Sequence, residues 1–286
     1  MDGKLWRRLY RIARRVADDR RGFRQQYADW EILMWQYWAA LNDRPIAWLI
    51  RTKKLPPQLA GRRRPSAATL SRRLRSKRLM ALAALLEHRL TRPTKAAWCK
   101  YLDGKLLAVG RGSKDQGAGL GRGVKGYRLH AIVDGNHGIY AWTILSNNVA
   151  EVPAAKSLIG QLASGGYLVA DGEYDSSDLH DLAHQQGCQL VARRSRPGTG
   201  LGHCRQSPHR RRSMELLERD GWIDNGFGDA LLTARKQIER FFGNLTSFAG
   251  GLAPLPAWVR TPPRVRRWVQ AKLIFNAVRI QLKATT

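Results

Sequence analysis

The stretch Tyr167-Leu168-Val169-Ala170-Asp171-Gly172-Glu173-Tyr174-Asp175 constrains the chain more than any other. Apolar and β-prone residues run into a carboxylate, and a glycine follows at once. That is the pattern of a short buried strand that ends at Asp171 and opens into a turn. Ala97-Trp98-Cys99-Lys100-Tyr101-Leu102-Asp103-Gly104 repeats it earlier, with Asp103 at the strand end and a glycine after it. A carboxylate closing a buried strand has to be paired, solvated or metal-bound, because an isolated buried charge costs too much. Two such ends on one sheet place two carboxylates side by side, a hard-oxygen pair that suits a divalent cation such as Mg²⁺.

Charge narrows the partners. The 286 residues hold 50 Lys and Arg against 22 Asp and Glu, a formal net charge of +28. A polyanion fits that balance better than an acidic small molecule. A membrane surface fits less well, since the basic residues are spread along the whole chain rather than set beside an apolar anchor. The most apolar stretch, Ile32 to Ile50, is interrupted by Asn42, Asp43 and Arg44 and is not a membrane span. The basic N-terminus is followed by no apolar run, so no signal peptide is read. Cys99, Cys188 and Cys204 lack C-x-x-C spacing, which argues against a structural zinc or a disulfide framework and points to a reducing cytoplasm.

Residues 1–95 read as a helical domain. Leu5 to Val16 and Trp30 to Leu41 are helical patterns, and Asp43-Arg44-Pro45 breaks the second. Pro65 to Arg75 has Ser66 as a good N-cap and Leu70 and Leu74 four apart on one face. Ser71, Arg72, Arg73 and Arg75 fall mostly on the other faces, as in the second helix of a helix-turn-helix that reads DNA. The alternative is a small bundle with a solvated basic face.

Residues 96–286 change character. Ala97 to Leu102, Tyr127 to Asp134 and Ile139 to Ser146 read as strands, the last two joined by a Gly135-Asn136-His137-Gly138 hairpin turn. A helix from Pro153 to Ala163, the strand at Tyr167, a helix from Ser177 to Gln186 and a strand from Gln189 to Arg193 follow. The order predicts an α/β unit with a mixed sheet flanked by helices. Gly110 to Gly126 is a glycine-rich loop carrying Arg111, Lys114, Arg122 and Lys125, without the ending of a P-loop. A basic loop insertion lies near residues 195–229, with Gly198, Gly200, Gly202 and the run His209-Arg210-Arg211-Arg212, and a short helix from Met214 to Arg219. His203, Cys204 and His209 do not make a zinc set. Leu231 to Leu245 reads as one helix, and Pro262-Pro263 starts the last. Glu173, Asp175 and Asp178 are expected to cap the helix near Ser177, Asp134 to belong to its turn, and His130 to be a packed histidine.

A third carboxylate, Glu239, sits in Arg235-Lys236-Gln237-Ile238-Glu239-Arg240-Phe241-Phe242, flanked by core-type Ile238 and Phe242. The plain alternative is an intrahelical pair with Arg235, which stabilises a helix by about 0.2–0.5 kcal/mol. Taken together, Tyr101-Leu102-Asp103-Gly104, Val169-Ala170-Asp171-Gly172-Glu173-Tyr174-Asp175 and Arg235 followed after three residues by Glu239 resemble the DDE-type transposases of bacterial insertion sequences. Lys125-Gly126-Tyr127-Arg128-Leu129-His130 and Leu145-Ser146-Asn147-Asn148-Val149 resemble that family's second and third strands. The likeness spans about Ala96 to Lys283. Leu232 and Thr246 stand where the group often has Tyr and Lys.

The resemblance implies an RNase H-like catalytic domain behind a helical DNA-binding domain. It implies Asp103, Asp171 and Glu239 as ligands of two Mg²⁺ ions, with Mn²⁺ able to substitute, and cleavage and strand transfer of double-stranded DNA at transposon ends and target. Arg72, Arg73, Arg75, Arg122, Lys125, Arg210, Arg211, Arg235 and Arg240 are the candidates for DNA contact. A homodimer or higher oligomer on DNA, in the nucleoid of a bacterial cytoplasm and away from membranes, is the expected setting. The other readings are a non-catalytic DNA-binding protein derived from a transposase and a nuclease of the same fold.

Overall fold

A computed structural model describes residues 3–17, 26–93, 95–110, 112–163, 165–195, 206–218, 226–252 and 254–284. The expectations for Arg111, Gly198, Gly200, Gly202, His203 and Cys204, and for part of the loop near 195–229, fall outside these residues. By its contacts the chain divides into two compact units, one of Met1–Arg92 with Asn244–Thr286, the other of Pro93–Gly243. The sequence reading draws one boundary near residue 95; the first unit also takes in the C-terminal segment.

In chain order the elements are α1 (Gly3–Val16), α2 (Asp29–Leu41), α3 (Trp48–Arg51), α4 (Ala67–Arg73), α5 (Lys77–Thr91), β1 (Cys99–Ala108), β2 (Gly119–Gly121), β3 (Val124–Asp134), β4 (Ile139–Ser146), α6 (Glu151–Ile159), β5 (Gly166–Ala170), α7 (Ser177–Gln185), β6 (Cys188–Ala192), α8 (Pro208–Glu218), α9 (Phe227–Ala234), α10 (Lys236–Thr246) and α11 (Pro262–Lys283). No helix among the described residues is long and apolar enough to cross a membrane.

The first unit is helical. Helix α2 is buried nearly all round, through Trp30, Ile32, Leu33, Met34, Trp35 and Tyr37. The Glu31 carboxylate accepts from the Ala28 N–H at 2.8 Å and closes its first turn. Ser66 caps α4, its hydroxyl accepting from the Thr69 N–H at 3.1 Å, and Ser76 does the same for α5 from Leu79 at 3.3 Å. Helix α11 packs against α1, α2 and α5. Its Lys272 is fully buried and donates to the carbonyls of Ala40 and Gly250 at 2.7 and 2.8 Å and to the Asp43 carboxylate at 2.6 Å. An ammonium at the C-terminal end of α2 meets the negative end of the helix dipole. The last helix is therefore a core element of this unit.

The second unit is built on one mixed sheet in the order β2-β3-β1-β5-β6, with β4 also on β3. Strands β1, β3 and β4 form an antiparallel set, while β1-β5 and β5-β6 are parallel. This is the mixed sheet flanked by helices that was expected. Leu102, Ile132, Leu168, Ala170, Leu190 and Ala192 point to one face and pack with Ala155, Leu158 and Leu179 of α6 and α7. Side chains alternate across a strand, so Tyr101, Asp103 and Lys105 lie on the opposite face. Lys105 Nζ sits 5.8 Å from the ring centroid of Phe242, which sets α10 against that face. Phe241 stacks on His137 of the β3–β4 turn at 6.1 Å and fixes the helix from its other side.

Several elements differ from the sequence reading. Strand β1 does not stop at Asp103 but continues to Ala108, paired with β3 down to Gly126. Gly104 marks a close approach and not a strand end: a Cβ there would lie 3.0 Å from Arg128 Cδ and His130 Nδ1. The glycine loop hides β2, joined to β3 by Arg122 and Gly123 at φ 47° and 77°. Positive φ at both central positions is the two-residue hairpin turn that matches strand twist. The expected helix from Leu231 to Leu245 is two, α9 and α10, meeting at Arg235, where bonds from Arg235 N–H to Leu232 and from Ile238 N–H to Arg235 tighten the turn. Helix α8 begins at Pro208, ahead of the expected Met214.

Candidate active site

Asp103 and Asp171 are matched by register. Tyr101 pairs with Val169 across the parallel strands β1 and β5, so the carboxylates stand two residues beyond the same rung. There β5 leaves the sheet while β1 runs on. The chain after β5 turns into a short 3-10 helix, Gly172–Tyr174, with Asp171 as its N-cap accepting from the Glu173 N–H at 3.0 Å. A crevice beyond the carboxyl ends of parallel strands is where α/β sheets bind ligands. Asp103 lies in mid-strand and accepts from the Gly104 N–H at 2.7 Å.

Glu239 joins them from α10. It lies in that helix's first turn and is exposed, while its neighbours Ile238, Phe241 and Phe242 are buried. Arg235 links the two elements: one guanidinium nitrogen lies 3.4 Å from Asp103 and the other 3.3 Å from Glu239. The intrahelical pair weighed from the sequence is thus made, and the same arginine reaches the sheet.

Burial pushes the Asp103 carboxyl above the usual range; the charges of Asp171 and Glu239 push the same way, against the Gly104 N–H and Arg235. Burial also raises Asp171, opposed by the Glu173 N–H, Arg235 and Arg122 and helped by the Glu173 charge. The acids feel one another, and a cation beside them relieves that repulsion. The donors are hard oxygens, which fits Mg²⁺ or Mn²⁺. Among the described residues no three His, Cys, Asp or Glu side chains are gathered as one ligand set; the cation beside the acids is the Arg235 guanidinium.

A buried network lies under this floor, and sequence reasoning missed most of it. His130, opposite Gly104 in the β1–β3 register, places Nδ1 3.2 Å from the Tyr174 hydroxyl. Tyr174 is also hydrogen-bonded to Glu151, which pairs with Arg128. Burial, followed by its hydrogen bond with Glu173, raises the Glu151 carboxyl to about 7 against the pull of Tyr174 and Arg128. The network joins β3, α6 and the turn after Asp171. His130, Arg128, Glu173 and Tyr174 lie in motifs the sequence picks out, but their joining does not show there, and Glu151 begins a helix and looks like any N-terminal acid.

The basic candidates are scattered. Arg72 and Arg75 are exposed around the end of α4. Arg73 is bound to Asp29 at 2.5 Å and to the Tyr27 carbonyl at 3.2 Å. Arg122, at the tip of the β2–β3 hairpin, is exposed and pairs with Glu173. Lys125 donates to the Ser113 carbonyl at 2.8 Å. Arg210 grips the buried Asp175 with two nitrogens at 2.7 and 2.6 Å, while Arg211 and Arg240 are exposed. Of the acids expected to cap α7, Asp178 lies in its first turn and pairs with Lys156, while Glu173 and Asp175 pair with Arg122 and Arg210 instead and the N-cap position is Ser176. Asp134 does hold its turn, accepting from the Asn136 and Gly138 N–H groups at 2.9 and 2.8 Å.

No curated protein matches the sequence. A solved structure, the cryo-EM structure of a piggyBac transposase synaptic complex with hairpin DNA, is similar with a TM-score of 0.48 and 11% identity, over 96% of this chain and 71% of that one. The family described as the transposase DDE domain matches residues 97–255, more than half of the chain and all of the strands and acids above, and the protein belongs to that family.

Proposed function

We propose that the protein is an insertion-sequence transposase that binds transposon-end and target DNA and catalyses metal-dependent strand cleavage and transfer. Asp103, Asp171 and Glu239 would hold the divalent ions, Mg²⁺ with Mn²⁺ as substitute. The observation that carries this is the matched register of Asp103 and Asp171 where β5 leaves β1, with Glu239 tied to Asp103 through Arg235. When bound, divalent ions there supply Lewis acidity to the phosphate and an activated water or 3′-hydroxyl. The chain's own part is to fix the acids on β1, at the end of β5 and on α10, to keep a guanidinium beside them, and to hold DNA. Arg235 stays close to where a phosphate would lie and offsets its charge. The exposed Arg72, Arg75, Arg122, Arg211 and Arg240 suit phosphate contact, and Lys125 follows Arg122 by three residues. Arg73 and Arg210 are committed to Asp29 and Asp175 and contribute by bracing.

The test is Asp103→Asn, which keeps size and removes the charge. In a cleavage assay on labelled end DNA with Mg²⁺ or Mn²⁺, activity should fall by at least 10³-fold, an order-of-magnitude expectation for a metal or electrostatic contact in the reaction. Gel-shift binding should hold or tighten. Asp171→Asn and Glu239→Gln should behave alike, and the double variants should add little. Wild-type-like cleavage by Asp103→Asn would refute the triad. A wild type that binds but never cuts favours the non-catalytic reading, and one that cuts without joining favours a nuclease.

A further inference from the structure

A cavity of about 220 Å³ opens within the helical unit, walled by the end of α2, by α4 and by the first turns of α11. Drug-sized ligands need roughly 300–1,000 Å³, so this space suits a flat ring with its phosphate partly outside. Its lining is one-sided in charge. Arg44, Arg264 and Arg267 contribute guanidiniums, and no acidic residue lines it among the described residues. None of the three side chains has a hydrogen bond or ion pair among those residues. Arg267 is half buried, and burial, followed by the charges of Arg264 and Arg75, pulls its pKa down. Cations crowded without a counter-charge point to an anion that is supplied from outside.

Two further features of the wall identify the anion's shape. Trp268 is only 7% exposed, and its indole N–H has no acceptor among the described residues. That nitrogen is itself closed off from the cavity, so Trp268 contributes the edge or face of its ring to the wall and not its N–H. Trp258 is 39% exposed and offers an open ring face, whereas Trp268 already carries Lys272 Nζ 4.5 Å from its ring centroid. The N-terminus of α11 adds its positive dipole end, but Pro262 and Pro263 occupy its first positions and have no N–H to give. Hydrogen bonds to an anion there must come from arginine side chains.

We propose that this cavity is a nucleotide subsite, in which Arg44, Arg264 and Arg267 hold a phosphate and Trp258 stacks on the base. The choice of a nucleotide over another aromatic phosphate rests on the DNA reading above. The occupant's chemistry is shared by two sources, an unpaired nucleotide of a DNA strand and a free mononucleotide. Base stacking on tryptophan is tolerant of sequence, so neither source need be a particular base.

The experiment is equilibrium dialysis of the full chain with labelled dAMP, a short single-stranded oligonucleotide and inorganic phosphate, without divalent metal. Arg264→Ala and Arg267→Ala should weaken all three at least tenfold. Trp258→Ala should weaken dAMP and the oligonucleotide at least tenfold and leave phosphate unchanged. An oligonucleotide far tighter than dAMP assigns the subsite to a DNA strand; equal affinities assign it to a free nucleotide. Arg264 and Trp258 are exposed, so their variants decide the matter even if Arg267→Ala fails to fold, with thermal melting as the control. Wild-type affinity in both, or no saturable dAMP binding to the native chain at millimolar concentration, overturns the proposal. Running the series in the Asp103→Asn background separates the two readings: a cleavage failure leaves this binding intact, and a binding failure leaves the acids untouched.

Discussion

His130 is buried completely and its burial, with Arg128 nearby, lowers its pKa to about 4. The folded state therefore binds fewer protons than the unfolded chain between pH 4 and the ordinary histidine value of about 6.5. The contribution is fully present above pH 6.5 and is lost as pH falls toward 4, to a total of about 3 kcal/mol. Urea titrations of wild type and His130→Gln at pH 4.5, 5.5 and 7.5 should show a steep acid limb in the first that the second lacks. A parallel decline in both would remove His130 as its source. At the same scale, Arg210→Ala should strip the bidentate partner from buried Asp175, whose carboxyl burial raises but Arg210 and His180 hold well below the usual range. Breaking a buried ion pair by removing one partner costs about 3–5 kcal/mol, less here by what His180 and the Ser195 N–H still give Asp175. The loss should appear as a lower midpoint in thermal melting, before any effect on DNA is considered.

Among the elements, the β1–β3 ladder carries the site, and Gly126 is its narrowest point. A Cβ there would meet the Leu107 carbonyl, a backbone atom that cannot swing away. Gly126→Ala should destabilise by about 1–3 kcal/mol, the usual cost of overpacking, with hydrogen exchange accelerated along Leu106–Ala108. Unchanged exchange would show that the ladder can yield there. The strands that hold the acids were legible because apolar runs ending in Asp-Gly leave few alternatives. The length of β1 was not, since Gly104 looks like a stop when read locally and like a packing constraint only when Arg128 and His130 are across from it. The same limit hid β2, whose residues are mostly glycine, and the break at Arg235, where the apolar stripe runs on without interruption. Glu239 was legible as a flanked acid on a helix. Its link to Asp103 through Arg235 was not, because a contact 132 residues apart leaves no periodicity in either segment. Arg73 and Arg210 show the converse: a cation in a basic run says nothing of the acid it will meet.

For the whole molecule, a net charge of +28 sets the medium in which any binding occurs. DNA affinity should fall steeply with salt, by about 10³–10⁵ between 50 and 200 mM if six to ten phosphates are neutralised. Filter binding over that range gives the slope, and a flat response would exclude phosphate contacts as the source of affinity. The helical unit draws on both ends of the chain, so residues 1–92 alone should fail to fold cooperatively. Tyr37 would lose Phe275, whose ring centroid is 5.9 Å away, and the α2 end would lose Lys272. Adding residues 244–286 through a flexible linker should restore a cooperative melt by circular dichroism. Lys272 has one more consequence. An amine with no solvent exposure cannot meet an acylating reagent until the helices around it part, whereas exposed Lys4 reacts at once. Its acylation rate, followed by mass spectrometry, is thus a clock for the opening of its own surroundings, placed by the chain at the spot where the end of its second helix meets its last.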